Sequence, residues 1–167
     1  MEKTDFRAIC GQFATGITVI TTSHNNQPFG FTANSFTSVS LEPPIVLFCL
    51  KTESTTNKAF QKSNAFAINI LAENQEDISN AFANPKSTQE ERFSTVELIA
   101  NKLPILKDSL GYLAGEIIQF HEVGDHIVYY GQVTDGAKTN GNPLLYAKGG
   151  YQRLPWFTCC NPFFKPC

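Results

Sequence analysis

"YLAGEIIQFHEVGDHIVYYGQV", residues 112–133, decides the architecture. Two segments rich in β-branched and aromatic residues meet across Gly124–Asp125, a compact hairpin signal. Upstream, "ITVITT" (17–22) reads as a strand, and the turn cluster "SHNNQPFG" (23–30) makes residues 17–33 a second hairpin. "EPP" (42–44) breaks any helix, and "IVLFCL" (45–50) is a short apolar run that suits a buried strand. "AFAINIL" (65–71) alternates as another strand. After the turn cluster "DGAKTNGNP" (135–143), "LLYAKGGYQRL" (144–154) reads as a last strand. Strands that follow one another through hairpins, without regular crossover helices, predict a mainly β fold with short helices. The expected form is an antiparallel closed or nearly closed β-barrel.

The helices are few. "TDFRAICGQFA" (4–14) places Phe6, Ile9, Cys10 and Phe13 at helical spacing, with Thr4 or Asp5 as its cap. "STTNKAFQKS" (54–63) suits a helix capped by Ser54, and "NQEDISNAFA" (74–83) one capped by Asn74 with Asp77 three residues on. Residues 84–110, with Pro85 and Pro104, read as a long polar connection and a candidate lid. No repeat or linker divides the chain, so residues 1–167 form one domain, with 152–167 as a C-terminal arm.

The 167 residues carry a formal net charge of -2, so no global field recruits nucleic acid or an acidic membrane. No stretch approaches the ~20 apolar residues of a membrane span. The start, "MEKTDFRAIC", is charged and unlike a secretory signal, and a cytoplasmic protein is expected. Five cysteines (Cys10, Cys49, Cys159, Cys160, Cys167) are an odd number and predict no disulfide framework. The tail "TCCNPFFKPC" lacks the CxxC or His spacing of a zinc site. Its apolar residues (Trp156, Phe157, Phe163, Phe164) favour an arm packed on the body or on a second subunit. No metal site is expected, since His24, His121 and His126 also lack ligand spacing. GxGxxG, P-loop and GxSxG motifs are absent, as is any evident catalytic carboxylate pair.

"GFTANSFTSVSLEPPIV" (30–46) carries the functional signal. Thr32, Asn34, Ser35, Thr37, Ser38 and Ser40 supply short side chains that donate and accept, a surface suited to a flat heterocycle edged with carbonyls and ring nitrogens. The competing reading is that these residues only satisfy a tight backbone. Ser54, Thr55 and Thr56 open a helix, where free N–H groups favour a phosphate, or else they merely cap it. The two segments flank the strand at 45–50. Arg92 in "ERFS" is either a fork for a cofactor phosphate or a solvated residue.

"FATGITVITT", "TANSFTSVSLEPPIVLFCL", "ESTT", "AINILAENQEDISNAFA", "RF", "GDHIVYYGQV" and "PLLYAKGGY" occur in this order. Together they closely resemble the flavin reductase-like family of NAD(P)H:flavin oxidoreductases, over roughly residues 6–151. The resemblance implies a homodimeric FMN-binding split β-barrel with FMN or FAD near the subunit interface. It implies that Thr32, Ala33, Asn34, Ser35, Thr37 and Ser38 hold the isoalloxazine edge. Cys49, Leu50, Ser54, Thr55 and Thr56 would line the ribityl and phosphate path. His126 would sit at the nicotinamide or flavin face, or else only cap the "GD" turn through its ring, and Tyr151 would close the site. Asp125 would shape the turn. The chain departs from many relatives in having Ile117, not Cys, after Glu116, so no catalytic thiol is expected there. The implied activity is hydride transfer from NADH or NADPH to a flavin, with reduced flavin passed to a monooxygenase. The alternatives are an FMN-holding electron carrier serving a redox protein, and a flavin-binding module without turnover.

Overall fold

The computed structural model describes residues 1–100 and 102–154. The thiol-rich tail and most of the expected C-terminal arm lie outside the described residues.

A long hairpin organises the chain. Strands β9 (Gly111–Val123) and β10 (His126–Lys138) pair along their whole length. Their turn is Gly124–Asp125, with Gly124 at φ +61°, at the position where a II′ hairpin turn takes glycine. The first half of β9 pairs with β6 (Ala65–Ile70), which leads to β2 (Thr18–His24) and β3 (Gln27–Ala33). The first half of β10 pairs with β5 (Pro44–Lys51), which leads to β4 (Thr37–Leu41). The result is a seven-stranded antiparallel sheet in the order β3-β2-β6-β9-β10-β5-β4. Its edges, β3 and β4, do not pair with each other among the described residues, so the barrel is split along that seam.

The sheet buries apolar residues on both faces. One face holds an aromatic cluster in which Phe48 stacks on Tyr129, with ring centres 5.2 Å apart, and Phe31, Phe60 and Phe66 pack around them. The other face buries Val19, Leu71, Leu106 and Leu144 against Phe82 of α3 (Glu76–Ala83). Threonines in β2 are therefore fully buried, and each is satisfied. Thr18 donates to Ala33 O, Thr21 to Pro104 O and Thr22 to Ala65 O. Buried Asn69 donates to Val19 O and accepts from the Leu106 N–H at 2.9 Å.

The connection at 84–110 is more ordered than its composition suggests. Thr88 and Glu91 form a capping box that starts α4 (Gln89–Phe93). β7 (Leu98–Ala100) and β8 (Ile105–Leu106) form a small hairpin, which Thr21 and Asn69 clip to the main sheet. The expected turn cluster at 135–143 begins later than composition indicated, because β10 continues to Lys138. The expected last strand is a hairpin, β11 (Leu145–Ala147) and β12 (Gly150–Gln152), turning at Lys148 (φ 53°) and Gly149 (φ 79°), with β1 (Thr15–Gly16) paired to β11. Helix starts also shift. The helix expected at 54–63, α2 (Asn57–Ser63), is preceded by Thr56, and α3 by Gln75, neither with a side-chain cap. Helix α1 (Lys3–Cys10) follows Glu2 and buries no residue.

Gly131 lies where β10 crosses the aromatic cluster. A Cβ there would sit 2.2 Å from the Phe66 ring. Gly131→Ala is expected to destabilise the fold by about 1–3 kcal/mol, the usual cost of overpacking. Urea unfolding would read this as a lowered midpoint, and an unchanged midpoint would refute the packing.

Candidate flavin-binding site

The turn at residues 34–36 links β3 to β4 across the split seam. The N–H groups of Asn34, Ser35 and Phe36 meet no acceptor among the described residues. The Ser35 hydroxyl lies 2.9 Å from the Cys49 N–H and 3.2 Å from the Cys49 carbonyl, so it both accepts from and donates to β5. That pair pins the turn to the strand. Thr37 and Ser38 begin β4 opposite Leu47 and Val46, and both are exposed.

A cavity of about 420 Å³ opens on one side of this turn. Thr32, Ala33 and Asn34 form one wall, and Ser79 and Asn80 of α3 another; Tyr146, Gly149, Gly150 and Tyr151 of the β11–β12 hairpin close it. The walls are bonded together. Thr32 donates to Ser79 O at 2.7 Å, and the Tyr151 hydroxyl lies 2.8 Å from Ser79 Oγ and 2.9 Å from Asn80 Oδ1. Tyr146 packs edge-on against Tyr151. Aromatic area with a polar rim suits a flat heterocycle.

A second cavity of about 420 Å³ lies beyond the far end of β5. Thr52, Glu53, Ser54 and Thr55, then Lys58 and Gln61 of α2, face Glu122 and Ile127 of the long hairpin. The N–H groups of Glu53 and Thr55 have no acceptor among the described residues. Asn57 braces this end. Its amide donates to Lys51 O and Thr52 O, and its Oδ1 accepts from the Tyr129 hydroxyl at 3.0 Å. Burial pushes the Tyr129 phenol up to about 12, so it remains a donor at any working pH.

The sequence candidates divide accordingly. Thr32, Ala33, Asn34 and Tyr151 line the first cavity; Ser54 and Thr55 line the second. Ser35 and Cys49 line neither cavity and bond to each other. Burial pushes the Cys49 thiol up, against the lowering bond from Ser35, which keeps it protonated. The Leu50 side chain is buried in the core. Thr56 is buried, and its hydroxyl accepts from Gln89 of α4 at 3.4 Å, away from both cavities. Arg92 is buried rather than solvated. It donates to Gly30 O at 2.8 Å and Asn84 O at 2.7 Å, so its fork binds backbone carbonyls. Burial lowers its pKa.

His126 begins β10 opposite Lys51 and lines neither cavity. Its Nδ1 lies 2.8 Å from the Asp125 carboxylate. That bond, with the charge of the ring, holds the Asp125 carboxyl below its ordinary value. Ser79, Asn80, Tyr146, Lys58 and Gln61 escaped the sequence reading. Ser79 and Asn80 break the apolar stripe of α3 with two adjacent polar residues, the one local sign that this end meets something polar.

Residues 10–155 match the family described as flavin reductase like domain. A probable flavin reductase of Rhizobium meliloti (strain 1021) is 44% identical over 144 residues, which is 84% of this chain and 45% of that longer protein. The reductase subunit of a flavin-dependent monooxygenase of Mycobacterium tuberculosis is 39% identical over 156 residues, covering 90% of this chain and 82% of the relative. An NADH:FAD oxidoreductase of Streptomyces globisporus C-1027, solved with NAD and FAD fragments, is 30% identical. It superposes with a TM-score of 0.86 over 92% of this chain and 93% of its own. The chain therefore belongs to the flavin reductase like family.

The donor set fits a flavin. Unspent N–H groups at residues 34–36 suit the carbonyl edge of its ring, and those of Glu53 and Thr55, with Lys58, suit its phosphate. Tyr151→Phe keeps the aromatic contact and deletes the bonds to Ser79 and Asn80. Losing one net hydrogen bond of about 1 kcal/mol, it is expected to raise the flavin Kd about fivefold. Fluorescence titration checks this, and an unchanged Kd would place the ring elsewhere.

Proposed function

We propose that this protein uses NADH to reduce FMN or FAD and hands the reduced flavin to a monooxygenase. The single observation that carries this reading is the row of unspent N–H groups at Asn34–Phe36, fixed to β5 by Ser35 and bordered by the Thr32–Ser79–Tyr151 network. A flavin bound there would accept a hydride at N5 and hold negative charge along N1 and its C2 carbonyl. Fixed N–H dipoles aimed at that edge favour the reduced, charged form, because they need no reorganisation when charge arrives. Ser54, Thr55 and Lys58 would hold the phosphate and so fix the ring in register. His126, with its ring held by Asp125, would orient the nicotinamide. The names of the similar proteins support NADH as donor and a monooxygenase as recipient.

The protein would work as a homodimer. The α1 residues Phe6 and Ile9 are 57% and 63% exposed, and Phe13 just beyond is 78% exposed. An eight-residue helix with no buried side chain has too few internal bonds to persist alone, so a second copy is its natural cover.

The deciding experiment mixes protein, FMN or FAD, and NADH anaerobically while the oxidised-flavin absorbance is followed. Bleaching well above the protein-free rate is expected; its absence, in protein that binds flavin, would sink the reductase reading. His126→Ala should raise the KM for NADH about fivefold, the worth of one net hydrogen bond of about 1 kcal/mol, with the flavin Kd unchanged.

A further inference from the structure

Three polar side chains meet on the wall of the first cavity, and they have few protons to share. The Tyr151 hydroxyl lies 2.8 Å from Ser79 Oγ and 2.9 Å from Asn80 Oδ1. A phenol carries one proton, so it donates to only one of the two. Ser79 is 1% exposed, and its hydroxyl has no other partner among the described residues. Asn80, the next residue of α3, is exposed and lines the cavity. The frame around them is fixed. Thr32 bonds to Ser79 O at 2.7 Å, and Tyr146 packs edge-on against Tyr151.

Two orders of bonding satisfy these distances. In the first, Ser79 donates to Tyr151, and Tyr151 donates to Asn80 Oδ1. In the second, the Asn80 amide is turned over, its Nδ2 donates to Tyr151, and Tyr151 donates to Ser79. The second order strands the Ser79 proton inside the fold, and a buried donor without an acceptor is costly. The first order leaves nothing buried unmade, so it prevails. Asn80 Oδ1 is then taken by Tyr151. Both N–H bonds of its amide, which meet no acceptor among the described residues, are left for the cavity that the residue lines. We infer that Asn80 is a ligand-binding residue: its NH₂, aimed by Tyr151, donates to a carbonyl oxygen or bare ring nitrogen on the rim of the heterocycle in the first cavity. The ligand rests on the flavin reading of that cavity; the order of the bonds stands without it. Tyr151 is the positioning residue for this contact.

The test is a fluorescence titration of the full chain with FMN, at about 0.15 M salt so that distant charges are screened. Asn80→Ala removes the amide, and Asn80→Asp keeps the acceptor for Tyr151 while removing both donors. Asn80 is exposed, so neither variant threatens the core. Asn80→Ala is expected to raise the Kd about fivefold, the worth of one net hydrogen bond. Asn80→Asp should raise it at least as much, because a carboxylate then faces the ligand's acceptor. An Asn80→Asp Kd equal to wild type, with Asn80→Ala weakened, would show that Asn80 serves only as the acceptor for Tyr151, and would overturn the contact. Equal Kd values in all three proteins would overturn it as well. In a double-mutant cycle, Tyr151→Phe should add little once Asn80 is Ala, and fully additive losses would overturn the positioning role. A second readout is the side-chain ¹H–¹⁵N pair of Asn80, assigned by its loss in Asn80→Asp. It should shift when FMN is added, and a pair that stays in place while FMN binds would refute the contact. Wild-type protein that binds no FMN would instead strike the flavin reading itself, and the contact with it.

Discussion

The β9–β10 ladder is the constraint on which the rest depends. Each strand has 13 residues, and the pair is the strand ladder that joins the β6-β2-β3 and β5-β4 halves of the main sheet. Register shifts at Tyr130/Gly131 and Val133/Asp135 let the two strands bend as they pass from one half to the other. Close approach at the first shift brings Phe66 over Gly131, so the aromatic cluster and the bend depend on each other. The turn end of the same ladder carries Asp125 and His126, and its Glu122 and Ile127 wall the second cavity. One structural element thus sets the shape of the sheet and one end of the site.

The split seam has the opposite character. β3 and β4 are edges, and the turn between them leaves donors unspent. A buried sheet would satisfy those groups; an edge beside a cavity can leave them for a ligand. Ser35 prevents the seam from drifting, because one hydroxyl both donates to and accepts from the backbone of Cys49. Arg92 strengthens the same region from behind. A buried guanidinium is costly to desolvate, and the carbonyls of Gly30 and Asn84 offset part of that cost. It therefore ties β3 to the end of the α3 connection and supports the Thr32 wall from outside the cavity.

Much of the architecture was legible in the sequence because hairpin turns and strand composition are local signals. "GD" at 124–125, the alternation at 65–71 and the apolar run at 45–50 each carry their own evidence within a few residues. The capping box of Thr88 and Glu91 was equally local, but the polar residues around it hid a helix that exists to bury Phe93 against Phe82. The expectation of one strand over 144–154 fails because the chain reverses through positive φ at Lys148, a conformation that a lysine does not announce.

The sequence by itself determined the class of fold and the ordered set of polar motifs, since turn chemistry, strand alternation and motif order are properties of neighbours along the chain. Tertiary structure alone decided which of those polar residues meet. Ser79 and Asn80 lie 47 and 46 positions from Thr32 and Asn34, and Tyr151 lies more than seventy residues from both helix residues, yet all share one cavity. Thr56 and Arg92 stood beside residues of the right chemistry in sequence, yet packing turned them towards Gln89 and backbone carbonyls. A side chain's partner is set by the sheet and helix that cross it, and those crossings are long-range contacts that no local pattern encodes.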